Sequence, residues 1–182
     1  MKLCLISVIE SMMLSKNEIL KEIRKGNLKV TPFDKKNVGP CSIDLRLGNN
    51  FRRFKSKKKM FLVNENVNEN NFSQKFNLKN NEFLIIKSGE LVLGTTLEKI
   101  KLNNSICGKL DGRSRFARIG LMVHVSSSLV QPGVNNVQVL EIINLSPFTL
   151  SIQPGLKICQ ITFHKLSSPA NYNGKFKRQT QP

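Results

Sequence analysis

The chain has 182 residues, with 29 Lys and Arg against 12 Asp and Glu and a formal net charge of +17, a length that suits one domain with a real core and no second one. Such a charge raises nucleic acid or an anionic membrane as partners, yet with no tryptophan and a single tyrosine the chain lacks the rings that single-strand binders interleave with cations. Its lysines and asparagines are spread through segments such as 55–59 and 64–71, a pattern that biased nucleotide composition also produces, so neither nucleic acid nor a membrane is expected as a partner.

Residues 1–13, M-K-L-C-L-I-S-V-I-E-S-M-M, are apolar but interrupted by Glu10. They are too short to span a bilayer and end in a poor cleavage site for a signal peptide, so 1–12 are read as an N-terminal extension without an assigned role. From Leu14 to Lys25, Ile19, Leu20 and Ile23 share a helical face. Ser15 with Glu18 three positions on is a capping-box pattern, and Gly26 is a stop. A turn-rich run to Pro40 leads into Ile43, Leu45 and Leu47 alternating with Ser42, Asp44 and Arg46, the period of a half-buried strand.

Residues 55–81 read as a polar loop with apolar islands at 60–63 and 72–76. From Glu82 onward, runs such as F-L-I-I-K, L-V-L-G-T-T-L, V-Q-V-L-E-I-I-N and I-C-Q-I-T-F are separated by Gly, Pro, Asn and Ser, which predicts an all-β sandwich or barrel. The last stretch, 167–182, has almost no core signal and by composition alone is a frayed tail. Cys4, Cys41, Cys107 and Cys159 are widely separated with no C-x-x-C pair. A zinc site is not expected, and the four are read as small core hydrophobes in a reducing compartment.

The stretch 109–120, K-L-D-G-R-S-R-F-A-R-I-G, sets Arg113, Arg115 and Arg118 around Ser114. Guanidinium forks match phosphate oxygens bidentately; the plainer alternative is a solvated basic face. R-S-R-F-A-R is expected to form a helical turn, and Asp111 before Gly112 reads as a turn former rather than a base. Beyond Lys99 the only acids are Asp111 and Glu141. Glu141 sits in the strand-like V-Q-V-L-E-I-I-N and is the candidate acid–base residue, the alternative being an ion pair with Arg113 or Arg118. Burial would raise its pKa and nearby arginines would lower it. His124, on a mostly apolar run, reads as a satisfied core residue, and His164 is given no role.

In that order and spacing, R-S-R-F-A-R, G-L-M-V-H-V, P-G and V-L-E resemble the dCTP deaminases of the trimeric dUTPase superfamily. S-I-D-L-R-L-G-N-N-F, G-E-L-V-L-G-T-T-L-E, L-S-S-P-A and Y-N-G-K-F fit the same family. The resemblance begins near Met13 and runs to the end. It implies a mainly β fold over 13–166, a dUTPase-like β-barrel or distorted jelly roll with a short N-terminal helix, and a C-terminal arm, 167–182, that folds over bound nucleotide.

The activity it implies is hydrolytic deamination of dCTP to dUTP and ammonia, feeding thymidylate synthesis, with Glu141 shuttling protons and Ser114 holding the attacking water. The H-x-E and P-C-x-x-C signature of zinc nucleobase deaminases is missing, so the reaction is expected to run without zinc. Arg113 and Arg118 match nucleotide-contacting positions, with Arg115, Phe116 and Ala117 beside them. Val139 and Leu140 map to the base pocket, Gln131 to a deoxyribose contact, and Tyr172, Lys175 and Gln179 to the arm's binding positions. Gln160 matches a glutamine that either touches phosphate or completes a strand. The resemblance further implies dCTP and dUTP as ligands with dTTP as a further candidate, a cytoplasmic homotrimer with sites at subunit boundaries, and Mg2+ carried on the triphosphate rather than in a protein cage.

Gln131, ten positions before Glu141, departs from the family, which usually has aspartate there in a D-P-G turn. An amide cannot accept a proton as a carboxylate does, which argues against the enzymatic alternative, a dUTP diphosphatase alone or combined with deamination. Asn135 and Asn136 also break the usual small-residue pattern. The non-enzymatic alternative is a basic module that binds nucleotides or nucleic acid.

Overall fold

Alternation dictates the architecture. In the computed structural model, which describes residues 12–55, 60–65 and 67–182, β2 (Ser42–Phe54) buries Ile43, Leu45 and Leu47 on one face. Likewise β9 (Asn135–Asn144) buries every second residue from Asn136 to Asn144. Period-two burial is what a sheet with one face on the core demands. With β5 (Leu91–Leu102), β6 (Ile106–Gly112), β7 (Leu121–Val123), β8 (Leu129–Val130) and β11 (Lys157–Lys165), they form an antiparallel sheet in the order β7-β9-β5-β2-β11-β6-β8. On its margins β1 (Leu28–Thr31) pairs with β5 and β3 (Ser73–Asn77) pairs with β2, while β4 (Leu84–Ile86) and β10 (Leu150–Ile152) form a separate two-stranded ribbon. The fold is mainly β with a short N-terminal helix, as expected.

The long strand β2 serves two limbs of the sheet. Its first half pairs with β11 and its second with β5 and β3, with a register shift between Leu47 and Phe51. Gly48 stands at that shift because a Cβ there would lie 2.9 Å from Thr95 Oγ1 and 3.1 Å from the Thr95 and Thr96 carbonyl oxygens. Phe51, Leu140, Ile142, Ile161 and Phe163 are wholly or almost wholly buried between the limbs. Removing such side chains from water stabilises the fold by about 1.5–3 kcal/mol each.

The helix α1 (Lys16–Arg24) begins after Ser15 as the sequence predicts, but the Ser15 side chain caps nothing. The first-turn donor Lys16 N–H goes instead to the Pro40 carbonyl at 2.6 Å, so a tertiary partner takes the place of the capping box. Gly26, at φ +76°, adopts the left-handed conformation that ends helices. Met13 bridges His164 and Leu14 N–H donates to Phe163 O at 2.8 Å, which ties residues 13 and 14 to β11; residues 1–11 of the N-terminal extension lie outside the described residues.

Three expectations are corrected. Asp111 and Gly112 are the last two residues of β6, opposite Gln160 and Cys159 of β11, not a turn. The 55–81 segment, of which 56–59 and 66 lie outside the described residues, contains β3 and a short 3-10 turn, Glu69–Asn71. Of the described cysteines only Cys159 is in the core; Cys41 is exposed and Cys107 half-buried. Burial pushes the Cys159 thiol far above its ordinary range, with Glu98 and Asp44 adding to the effect. It therefore stays protonated and inert. Among the described residues no helix is long and apolar enough to cross a membrane.

Candidate active site

The pairing of β7 with β9 ends at Val123 opposite Ile142, so the next residues along the two strands, His124 and Glu141, meet just past the ladder. A side chain there replaces the next ladder bond: Glu141 N–H donates to His124 Nδ1 at 3.0 Å. Because Nδ1 accepts, the proton of the neutral imidazole belongs on Nε2. That nitrogen is buried without a hydrogen-bond partner among the described residues and lies 3.8 Å from Glu141 Oε2. His124 is thus not the satisfied core residue expected from the sequence, since half of its hydrogen-bonding capacity is turned toward the carboxylate.

The Glu141 carboxylate is gripped by the loop that follows. Ser126 N–H donates to Oε2 at 2.5 Å, Val125 N–H to the same oxygen at 3.1 Å, and the Ser126 hydroxyl to Oε1 at 2.9 Å. Burial alone would raise the Glu141 pKa. The Ser126 N–H, the charge His124 carries when protonated, the Ser126 hydroxyl and the Ser127 N–H together outweigh it and hold the carboxyl below its ordinary value. The arginines that the sequence nominated for this role do not supply it.

A groove of about 700 Å³ opens over this carboxylate, lined by Val139 and Glu141 from β9, by Gln131 just past β8, and by Tyr172, Lys175 and Gln179 from the C-terminal segment. Its floor is set by strand register: Lys75 stands opposite Arg52, Arg52 opposite Leu93, and Leu93 opposite Glu141. Directly opposed residues share a face, which puts Arg52 two strands, about 10 Å, from Glu141. Leu140 alternates to the other face and is wholly buried. Arg52, His124 and Ser126 were not assigned to the site from sequence; only the register and the meeting of β7 with β9 reveal them.

The arginine stretch lies elsewhere on the chain. Gly112 brings β6 against β7, where a Cβ would collide with the Val123 carbonyl oxygen, and the chain then turns into α2 (Ser114–Ala117). Phe116 packs on the core, while Ser114, Arg115, Ala117 and Arg118 are exposed. Arg113 is oriented by Asp44, at 3.4 Å from its guanidinium, and donates to the Lys157 carbonyl at 3.0 Å. None of Arg113, Ser114, Arg115, Phe116, Ala117 and Arg118 lines the groove over Glu141. Gln160 accepts from the Ser42 hydroxyl at 3.0 Å within the β11–β2 pairing, a strand-completing role. One chain therefore presents two separate sets of candidate residues, the groove set around Glu141 and the turn set around Ser114.

Comparison with known proteins identifies the lineage of this arrangement. The family model described as dCTP deaminase-like matches residues 13–166. This chain belongs to the dCTP deaminase-like family. It is 36% identical over 161 residues to the protein named "dCTP deaminase, dUMP-forming" of Dictyoglomus thermophilum, covering 87% of this chain and 83% of that one. It is 33% identical over 170 residues to the dCTP deaminase of Thermomicrobium roseum, covering 92% and 86%. The crystal structure of 2'-deoxycytidine 5'-triphosphate deaminase from Agrobacterium tumefaciens overlays 85% of this chain with a TM-score of 0.66 at 19% identity; the two share a fold, and this chain spans about half, 48%, of that longer one. In this dCTP deaminase-like chain the family match stops at residue 166, just before the segment that carries Tyr172, Lys175 and Gln179.

Proposed function

We propose that the protein deaminates dCTP to dUTP and ammonia, as a homotrimer whose sites combine the groove of one copy with the Ser114 turn of the next. The observation that supports this reading best is Glu141, an ionised strand carboxylate at the floor of a nucleotide-sized groove, with family membership behind it. Water adds to C4 of the cytosine ring while Glu141 takes its proton and delivers it to N3. The same carboxylate then carries the hydroxyl proton to the 4-amino group, and ammonia leaves as the 4-oxo ring forms. The grip of Ser126 keeps Glu141 ionised but weakly basic, so the 4-amino group of the substrate, a donor, has to replace some of those donors to the carboxylate before the proton moves. Ser114, able to donate and accept at once, positions the water.

Among the described residues no three His, Cys, Asp or Glu side chains come together, and magnesium is best written as part of the substrate, on the triphosphate. The charged forks of Arg113 and Arg118 supply donors to those phosphates. The case for a second copy rests on exposed apolar side chains, Ile119, Met122 and Leu145 following the turn and Val125 and Leu129 by the groove, more than a lone chain usually leaves uncovered. dTTP shares the sugar and triphosphate and is a second ligand for the same groove. The reaction belongs to the cytoplasm, where it supplies dUTP for thymidylate synthesis.

The product released is dUTP rather than dUMP, although several relatives carry "dUMP-forming" in their names. Gln131 brings an amide to the groove wall where a carboxylate would be needed to activate water against phosphorus. Incubation with dCTP and magnesium should release ammonia, with dUTP accumulating on anion-exchange chromatography. Accumulation of dUMP and pyrophosphate would transfer the assignment to the bifunctional reaction. No ammonia, together with oligonucleotide binding that weakens steeply with salt, would replace the enzyme by a binding module.

The Ser126 grip has a pH signature. A carboxyl held low by donors titrates at higher pH when one is removed, so the acid limb of the kcat/KM profile, where Glu141 must be ionised, is expected to move up in Ser126→Ala. An acid limb at the wild-type position would show that the hydroxyl does not tune this group.

A further inference from the structure

The C-terminal segment has the composition of a frayed tail, yet it is held at both ends of the groove. Beside the first half of β9, Asn135 N–H donates to Lys177 O at 3.1 Å and Val137 N–H to Gln179 O at 3.3 Å, so the segment runs alongside that strand in the same direction. Between these bonds Asn136, 4% exposed, donates from its side-chain amide to Phe176 O at 2.7 Å. Asn136 is itself fixed: its Oδ1 accepts from Gln138 Nε2 at 2.7 Å, and Gln138 N–H donates to Thr96 Oγ1 at 2.9 Å. At the far end, Arg52 Nε donates to Pro182 O at 3.1 Å and Lys75 Nζ to Gln181 Oε1 at 3.1 Å. Arg52 is 1% exposed, and it also donates to Asn70 Oδ1 at 3.0 Å and the Ser73 hydroxyl at 2.8 Å. Two buried polar side chains that each spend a donor on the arm's backbone make a built attachment, since a buried donor left without an acceptor is costly.

We propose that Asn136, braced by Gln138, and Arg52 with Lys75 are positioning residues that clasp the arm at its middle and at its last two residues and thereby hold Lys175 and Gln179 over Glu141, where Tyr172 N–H is fixed separately to the Pro132 carbonyl at 3.2 Å. A small apolar residue at 136 would leave Phe176 O without this donor. The clasp deepens the deaminase reading, because an arm ordered before the nucleotide arrives spares part of the ordering cost of binding.

The test uses the full chain and three variants. Asn136→Asp keeps the acceptor for Gln138 but replaces the donor with an anion facing Phe176 O. Asn136→Ala removes both, and Lys75→Ala loosens the far end without touching a buried side chain. In each, trypsin should cut the arm at Lys175, Lys177 and Arg178 about fivefold faster than in wild type without nucleotide, and the KM for dCTP should rise by more than kcat falls. Lys75→Ala keeps the test decisive if either Asn136 variant misfolds. Wild-type cleavage rates in every folded variant, or faster cleavage with an unchanged KM, would overturn the clasp. Failure of the deaminase reading is a separate outcome, seen as no ammonia from the wild-type protein, and cleavage is read without it.

Discussion

Glu141→Gln is expected to lower deamination by at least about a thousandfold while leaving dCTP affinity within a few-fold. The substitution keeps the size of the side chain and keeps one oxygen for Ser126 N–H, so β9 and the groove remain. What it removes is the carboxylate that the proposed mechanism uses to hold a proton and return it at two different atoms. The amide also turns a donor toward the loop 125–127, whose N–H groups now converge on the carboxylate. Single-turnover ammonia release, calorimetric binding of dCTP with magnesium and thermal unfolding separate the three effects. Turnover within tenfold of wild type, in a folded variant that binds dCTP, would falsify the proton-shuttle role. Loss of binding in parallel with turnover would instead mark Glu141 as a contact that orients the base.

The place of Glu141 on a strand was legible in the sequence, where it is one of two acids beyond Lys99 and sits at a strand period. Its surroundings were not. His124 and Ser126 are 17 and 15 residues away and reach it only through the antiparallel turn-back from β7 to β9, and the cationic guess for its pKa followed composition where hydrogen bonds from a neighbouring loop decide. Arg52 was invisible for a related reason. In F-R-R-F it looks like surface charge, and only the β3–β2–β5–β9 register places it in line with the carboxylate.

Local signals also lost to tertiary ones. Asp111-Gly112 has turn chemistry, but pairing with Gln160 and Cys159 keeps both residues in β6, and Gly112 is needed for its close approach to Val123 rather than for a turn. Ser15 stands at the N-cap as read, while the bond it was expected to make is replaced by Pro40 across space. The arginine turn was legible as a motif. Its orientation by Asp44, 69 positions before Arg113 in sequence, was not, because nothing in the spacing of the two residues couples them.

Mixing two inactive variants should restore activity if the groove and the turn act from different copies. Arg118→Ala is expected to weaken dCTP binding by about 1.5–3 kcal/mol, the worth of a charged contact, and combined with Ser114→Ala it leaves a copy with an intact Glu141 and a disabled turn. Glu141→Gln leaves the opposite copy, an intact turn and a disabled groove. In a ring where each site takes its groove from one copy and its turn from the next, random assembly at equal amounts makes one site in four whole, so co-refolded mixtures should recover about a quarter of wild-type turnover. The two sets of side chains stand apart within one chain, with Arg113 committed to Asp44 and Glu141 to Ser126, and this arrangement makes the outcome decisive. Sites built within single copies would leave every mixture as inactive as its components, whereas recovery near a quarter can arise only if Ser114 and Arg118 reach the Glu141 of a neighbour.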